Sequence, residues 1–229
     1  MQVRETPPFA PVLMESTRAI GYSLEAAIAD IIDNSIAAKA GKVQLFFFPV
    51  DDAYVCILDD GSGMDNAQID VAMQYGSKSP TDIRDASDLG RYGLGLKTAS
   101  LSQCRVLTVV SKQGNTVIGR RWDLDYVIET GTWSLLILDE DDIEQVPHIT
   151  DLKEQENGTL VVWQNLDRLL MGELDYEKSL GRKMDDVRQH LGLVFHRYLS
   201  KQAGIIGLEK HNNNVEIEFL NTYYQVAFR

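Results

Sequence analysis

Cysteine and proline are scarce in this chain, and basic residues are outnumbered. The two cysteines, Cys56 and Cys104, have no C-x-x-C partner. No zinc site is readable from them, and they read as small buried hydrophobes of a reducing compartment. No apolar run is long enough to span a bilayer, and no signal-peptide pattern is visible. A cytoplasmic protein without a membrane segment is therefore expected. Lysine and arginine total 22 against 34 aspartate and glutamate, a formal charge of −12. That balance excludes wrapping nucleic acid by this chain alone, because phosphate neutralisation needs a basic face. A bound anion must be held by local geometry, not by the overall field. Internal repeats and low-complexity tracts are absent.

Three of the six prolines fall in "MQVRETPPFAPV" at the start, which predicts an extended arm over 1–20. The 229 residues, 44% of them hydrophobic, suffice for one sizeable core. Leu24, Ile28, Ile31, Ile32 and Ile36 line one face of a helix that begins near Tyr22 and ends by Gly41. Strands follow at 42–48 and 54–59, then a turn, a short helix over 66–75 and a long polar connection over 76–92 of the kind that forms lids. A helix over Leu94 to Gln103 precedes strands near 105–111, 116–123, 132–138 and 159–164. The acidic stretch 139–158 reads as exposed. A helix from about Met184 to Ser200 and a hairpin of "VEIEFLN" and "YYQVAF" close the chain. This order predicts a two-layer α/β sandwich with a mixed, mostly antiparallel sheet covered by helices on one face.

Four segments carry candidate chemistry. In "ADIIDNSIAA", Asp30 and Asn34 project side by side from one helix face, where a carboxylate and an amide can align a water and ligate a metal. A solvated polar stripe would look the same. In "ILDDGSGMD", Asp59 ends an apolar strand and meets Gly61 and Gly63, which is also what an ordinary tight turn does. The spacing excludes an EF-hand loop. "LGRYGLGLKTAS" places Gly90, Gly93 and Gly95 before a helix. Exposed amides at a positive helix end bind phosphate without net positive charge, and Lys97 is near enough in sequence to neutralise one. The order of glycines is neither the Rossmann nor the Walker pattern. In "NGTLVVWQNL", Gly158 and Thr159 open a buried strand.

Taken together and in this order, the four segments resemble the GHKL ATPases: gyrase-type topoisomerases, ninety-kilodalton heat-shock chaperones, histidine kinases and MutL proteins. "YGSKS", "GRYGLGLKTAS" and "GTLVVWQNL" are most similar to MORC-type members. The likeness runs from about Leu24 to Leu166. It implies a Bergerat ATP-binding fold over 21–170, followed over 171–229 by the helix and hairpin of a truncated, transducer-like second domain.

The resemblance also implies roles. Asp59 accepts a hydrogen bond from the adenine amino group, and Thr159 supports that contact. Gly61, Gly63 and Met64 form the turn under the base. Asn34 ligates Mg²⁺, and Asp30 is the general base for ATP hydrolysis. Lys78 and the run Gly90, Arg91, Tyr92, Gly93, Leu94, Gly95, Leu96 and Lys97 belong to the lid that wraps the phosphates. ATP is expected to close a homodimer through the N-terminal arm, and DNA to be met only through domains outside this chain.

Three departures qualify that picture. The family's base is usually glutamate, and Asp30 is shorter by a methylene, so hydrolysis should be slow. Ala37 stands where many relatives carry aspartate. No equivalent of the transducer lysine that reaches the γ-phosphate is evident before Arg229, so this fragment should bind ATP better than it hydrolyses it. Two alternatives stay open: an ATP-driven dimerisation switch with little turnover, and histidine-kinase phosphotransfer. For the latter, His148, His190, His196 and His211 are candidates in name only and read as surface or packing residues.

Overall fold

The computed structural model describes residues 6–19, 21–50, 52–75, 95–169, 171–173, 175–196 and 215–221. Among the described residues seven strands form one sheet: β1 (Lys42–Phe48), β2 (Tyr54–Asp59), β3 (Val106–Gln113), β4 (Thr116–Asp123), β5 (Leu136–Leu138), β6 (Asn157–Gln164) and β7 (Glu216–Asn221). Their order is β5-β4-β3-β6-β2-β1-β7. Every neighbouring pair is antiparallel except β1 with β7. The mixed, mostly antiparallel sheet read from the sequence is present.

Successive side chains on a strand face opposite sides, and the apolar residues divide accordingly. Val55 and Ile57 of β2 join the larger core, whereas Cys56 and Leu58 join a second cluster. The larger core holds helix α2 (Leu24–Ala37), α4 (Gly95–Gln103) and α8 (Tyr176–Val194). Ser23 caps α2 by accepting the Ala26 amide, and Leu24, Ala27, Ile28, Ile31, Ile32 and Ile36 are its buried stripe. This is the periodicity visible in the sequence.

The opposite face carries helices α6 (Glu140–Glu144) and α7 (Ile149–Glu154), within the acidic stretch expected to be exposed. Its carboxylates cap: Asp139 and Asp142 form a capping box at the start of α6. Ile143, Val146, Ile149 and Leu152 recur every third residue and are buried against Phe46, Val110, Leu160 and Val162. Each contributes on the order of 2 kcal/mol of apolar burial. Lys112 Nζ of β3 donates to the carbonyls of Lys153 and Gln155, where the end of α7 presents unpaired oxygens.

The arm also differs from expectation. A helix, α1 (Ala10–Arg18), begins at Ala10 with Pro11 in its first turn, where the missing proline N–H goes unused. Arg18 is buried; its Nε donates to the Leu101 carbonyl at 2.6 Å and its guanidinium pairs with Asp167 at 2.5 Å. The Trp133 indole donates to the Pro8 carbonyl at 3.2 Å. Residues 8–18 thus pack on the body of their own chain. Helix α5 (Leu124–Thr130), capped by Asp123 and ended by Gly131, is a further element that periodicity did not show.

At the other end, α8 starts near Tyr176, earlier than expected, because Asp175 caps it. It packs on α2. β7 adds to the sheet edge parallel to β1; the expected hairpin partner "YYQVAF" lies outside the described residues. Among the described residues no helix is long and apolar enough to cross a membrane.

Candidate functional site

Two strands far apart in sequence bring one end of the site together. β2 and β6 pair so that Asp59 and Thr159 are directly opposite, and β6 and β3 pair so that Thr159 is opposite Ser111. All three lie on the face covered by α2 and α4, by alternation from Ile57, Val161 and Val109 in the larger core. The Asp59 carboxylate is 6% exposed. Its Oδ1 accepts the Gly61 amide at 2.9 Å, and its Oδ2 accepts the Ser35 hydroxyl of α2 at 2.9 Å. Burial pushes the carboxyl up to about 6, while hydrogen bonds from Gly61, Ser35 and the Thr159 backbone pull the other way. A buried carboxylate has about four acceptor sites, so one that already accepts these bonds still retains capacity for an N–H donor.

The turn after β2 is held from below. Ser62 N–H donates to the Ala38 carbonyl at the end of α2 at 2.9 Å, and Met64 N–H to Ser111 Oγ at 2.8 Å. Gly63 has φ +65°, and a Cβ there would lie 2.1 Å from the Lys112 carbonyl oxygen, so both its conformation and its neighbour require glycine. Gly158 is as constrained: a Cβ would lie 2.3 Å from the Asp59 carbonyl oxygen. Met64 packs against the core, half-buried. The segments around Asp59, Gly61, Gly63, Met64 and Thr159, singled out separately in the sequence, are in contact here.

The second end of the site is on α2, from its middle toward its C-terminal half. Asp30 is half-buried and Asn34, the next residue on that face, is exposed. Gly95, the first residue of α4, faces Asp30: a Cβ on Gly95 would lie 3.6 Å from Asp30 Oδ2. The start of the glycine-led helix and the candidate base are therefore neighbours. Asp33, half-buried, is pushed up to about 6 by burial and then by the charge of Asp30. The Tyr22 hydroxyl is raised by burial and by its hydrogen bond to Asp30.

Leu96 is half-buried on α4, and Lys97 is 1% exposed with Nζ donating to the Ala72 carbonyl at 2.7 Å. That bond ties α4 to α3 (Asn66–Met73), which Arg120 also fastens to β4 through Asp70 at 2.7 Å and Asn66 at 3.1 Å. Lys78, Gly90, Arg91, Tyr92, Gly93 and Leu94 lie outside the described residues. Among the described residues no three His, Cys, Asp or Glu side chains are grouped to hold a metal ion. A cation shared with a triphosphate takes most ligands from phosphate oxygens and water, so the single exposed carboxamide of Asn34 fits that use.

Ser35 and Ser111 were not singled out in the sequence. The available signal for Ser35 was a polar residue on the buried stripe of α2, in step with Ile28 and Ile31. Ser111 had only its place in an apolar strand. His148 stands apart from the site, and His211 lies outside the described residues. His148 stacks on Phe46 with centroids 3.9 Å apart and bonds Asp151 at 2.7 Å on the opposite face; His196 Nδ1 bonds the Leu193 carbonyl. A separate cavity of about 350 Å³, lined by Arg18, Tyr22, Gln103, Arg168 and Lys183 among others, lies between α1, α4 and α8.

A mixed sheet covered by helices, with a buried carboxylate at the end of one central strand and a carboxylate–carboxamide pair on the facing helix, is the architecture of the GHKL ATPase fold. The family model for the histidine kinase-, DNA gyrase B- and HSP90-like ATPases matches residues 22–159; the chain belongs to that family. Mouse ATPase MORC2B is 32% identical over 95 residues, 40% of this chain and 9% of that protein. Mouse ATPase MORC2A and human ATPase MORC2 are each 30% identical over 95 residues, with the same shares. The match thus spans less than a tenth of the length of these relatives.

Proposed function

We propose that this chain binds ATP with Mg²⁺ in the pocket between β2, β6 and α2, and hydrolyses it slowly. The observation that carries the reading is the buried Asp59 carboxylate, held by Ser35 and Gly61 and opposed by Thr159. In this reading Asp59 accepts a hydrogen bond from the adenine amino group, Thr159 supports it, and Gly61, Gly63 and Met64 form the floor under the base. A carboxylate there favours adenine over guanine, whose corresponding edge carries a carbonyl oxygen.

Asn34 would hold Mg²⁺, which neutralises phosphate charge when bound. Asp30 takes the proton of a water whose oxygen attacks the γ-phosphorus; the bond to the β–γ bridging oxygen breaks and ADP leaves. Positioning and electrostatics supply most of such a rate. Gly95, Leu96 and Lys97, with Lys78 and Gly90 to Leu94, form the phosphate cradle and lid. Closure of the lid and dimerisation on ATP complete the proposal, with DNA contacted only by segments outside this chain. The free, buried Cys56 and Cys104 support a reducing, cytoplasmic setting.

One further reading has an observation behind it: a nucleotide-driven switch with little turnover, favoured by the short side chain of Asp30. Transfer to His148 is disfavoured, because it sits on the far face of the sheet bonded to Asp151. Titration calorimetry with MgATP tests the core of the proposal. The wild-type chain should give saturable heat and Asp59→Asn should lose it; an unchanged affinity in Asp59→Asn would remove the assignment.

A further inference from the structure

Ser111, fully buried on β3, closes the row that runs from Asp59 through Thr159. Its hydroxyl makes three contacts. It accepts the Met64 amide at 2.8 Å, donates to the Gly158 carbonyl at 3.0 Å, and lies 3.2 Å from Thr159 Oγ1.

A serine hydroxyl has one proton and two lone pairs. The Gly158 carbonyl can only accept, so it takes the proton. The Met64 N–H can only donate, so it fills one lone pair. The lone pair that remains faces Thr159, and a 3.2 Å contact between two hydroxyl oxygens is favourable only when one of them donates. Thr159 must be that donor. Its proton is then directed toward β3, and the Thr159 oxygen offers only lone pairs to anything on its other side.

We infer that Ser111 sets the Thr159 hydroxyl as an acceptor and through it makes the pocket discriminate a purine with an amino group at C6 from one with a carbonyl there. The inference rests on the reading of Asp59 and Thr159 as the base-recognising pair. With both presenting acceptors, an exocyclic N–H is matched and a 6-oxo group meets lone pairs on both. Ser111 touches no ligand and is a positioning residue. It also joins the turn under the base, through Met64, to the strand that carries Thr159, so the two supports of the base keep one spacing.

The test is the ratio of affinities for ATP and inosine triphosphate, measured by calorimetry with Mg²⁺ on the whole chain. Ser111→Ala frees the Thr159 hydroxyl to rotate and donate. ATP affinity should fall by about tenfold and inosine triphosphate affinity by much less, so the ratio narrows by about fivefold. Ser111→Thr, which keeps the hydroxyl, should restore the wild-type ratio. Thr159→Val should narrow the ratio too, and adding Ser111→Ala to it should narrow it no further. Where Ser111→Ala does not fold, Ser111→Cys, a weaker donor and acceptor of similar size, should show the same narrowing. Equal losses for both nucleotides, with the ratio kept, would make Ser111 a purely structural residue and overturn the inference. Failure of the wild-type chain to bind ATP would instead remove the reading of the pocket itself, and this inference with it.

Discussion

The Ser35 hydroxyl donates to Asp59 Oδ2 at 2.9 Å, and that bond joins the helix bearing Asp30 and Asn34 to the strand bearing the buried carboxylate. Ser35 follows Asn34 directly, so the two ends of the proposed site share one rigid helix. In the proposed reading, the spacing between base recognition and phosphate chemistry follows from the register of α2 on the sheet, which this buried contact holds together with the apolar stripe of the helix.

Removal of that contact should therefore be felt twice. Ser35→Ala leaves the nearly buried Asp59 carboxylate with one fewer donor, and should cost about 1–3 kcal/mol of stability. MgATP affinity should fall by about tenfold as the carboxylate loses its orientation. Thermal melts with and without MgATP measure both. A variant that melts as the wild type does and binds as tightly would show that the contact fixes nothing.

The pH dependence of stability follows from Asp59. Burial lifts its folded-state value to about 6 from 3.8. Between those values the folded chain keeps a proton that the unfolded chain has already released, so stability falls as pH rises through that window and stays lower above it. Asp33, also raised to about 6, acts in the same direction. Asp59→Asn carries no charge at any pH. It should flatten the profile between about pH 4 and 6, while losing ATP. Denaturant midpoints at several pH values check this; a profile as steep as that of the wild type would contradict it.

Hydrolysis should be limited by reach. Asp30 lies beside the start of α4, 3.6 Å from where a Gly95 Cβ would be, and its carboxyl is one methylene short of the family's usual glutamate. Misplacement of a reacting group by about an ångström costs on the order of a hundredfold in rate. Single-turnover hydrolysis should thus rise by about tenfold or more in Asp30→Glu and disappear in Asp30→Asn, with ATP affinity little changed in both. Turnover that persists in Asp30→Asn would place the base elsewhere.

How much of this was legible in the sequence depended on the reach of each signal. The α2 stripe and the paired strands β1 and β2 were readable because their periods are local. α1, α5, α6 and α7 were not, because their five to nine residues lie in stretches whose proline or dense charge masks a helical period. Their caps, and burial against a sheet formed elsewhere in the chain, decide them. Asp59 and Thr159 were each ambiguous alone; only the β2–β6 register, which pairs residues a hundred positions apart, makes them one site. Ser111 was invisible for the same reason, since its partners come from the turn after β2 and from β6. The acidic stretch misled because charge density hid a three-residue repeat of Ile143, Val146, Ile149 and Leu152.

That repeat yields the last prediction. Leu152 is fully buried in the cluster on the face away from the proposed nucleotide, and β6 carries the opposed Thr159 on its other side. Leu152→Ala should cost about 2–5 kcal/mol through lost burial and the cavity left behind. Leu152 packs beside Gly158, on the side of β6 away from Thr159, so ATP affinity of the folded fraction should fall by less than about tenfold while stability bears the full cost of the cavity. Gly63→Ala, forced into a left-handed backbone against the Lys112 carbonyl, should instead lose stability and nucleotide together. Calorimetric titration and thermal melts on the two variants separate the faces. An equal loss of ATP affinity in both would mean that α7 holds the β6 strand in register, and that the two faces of the sheet are one mechanical unit.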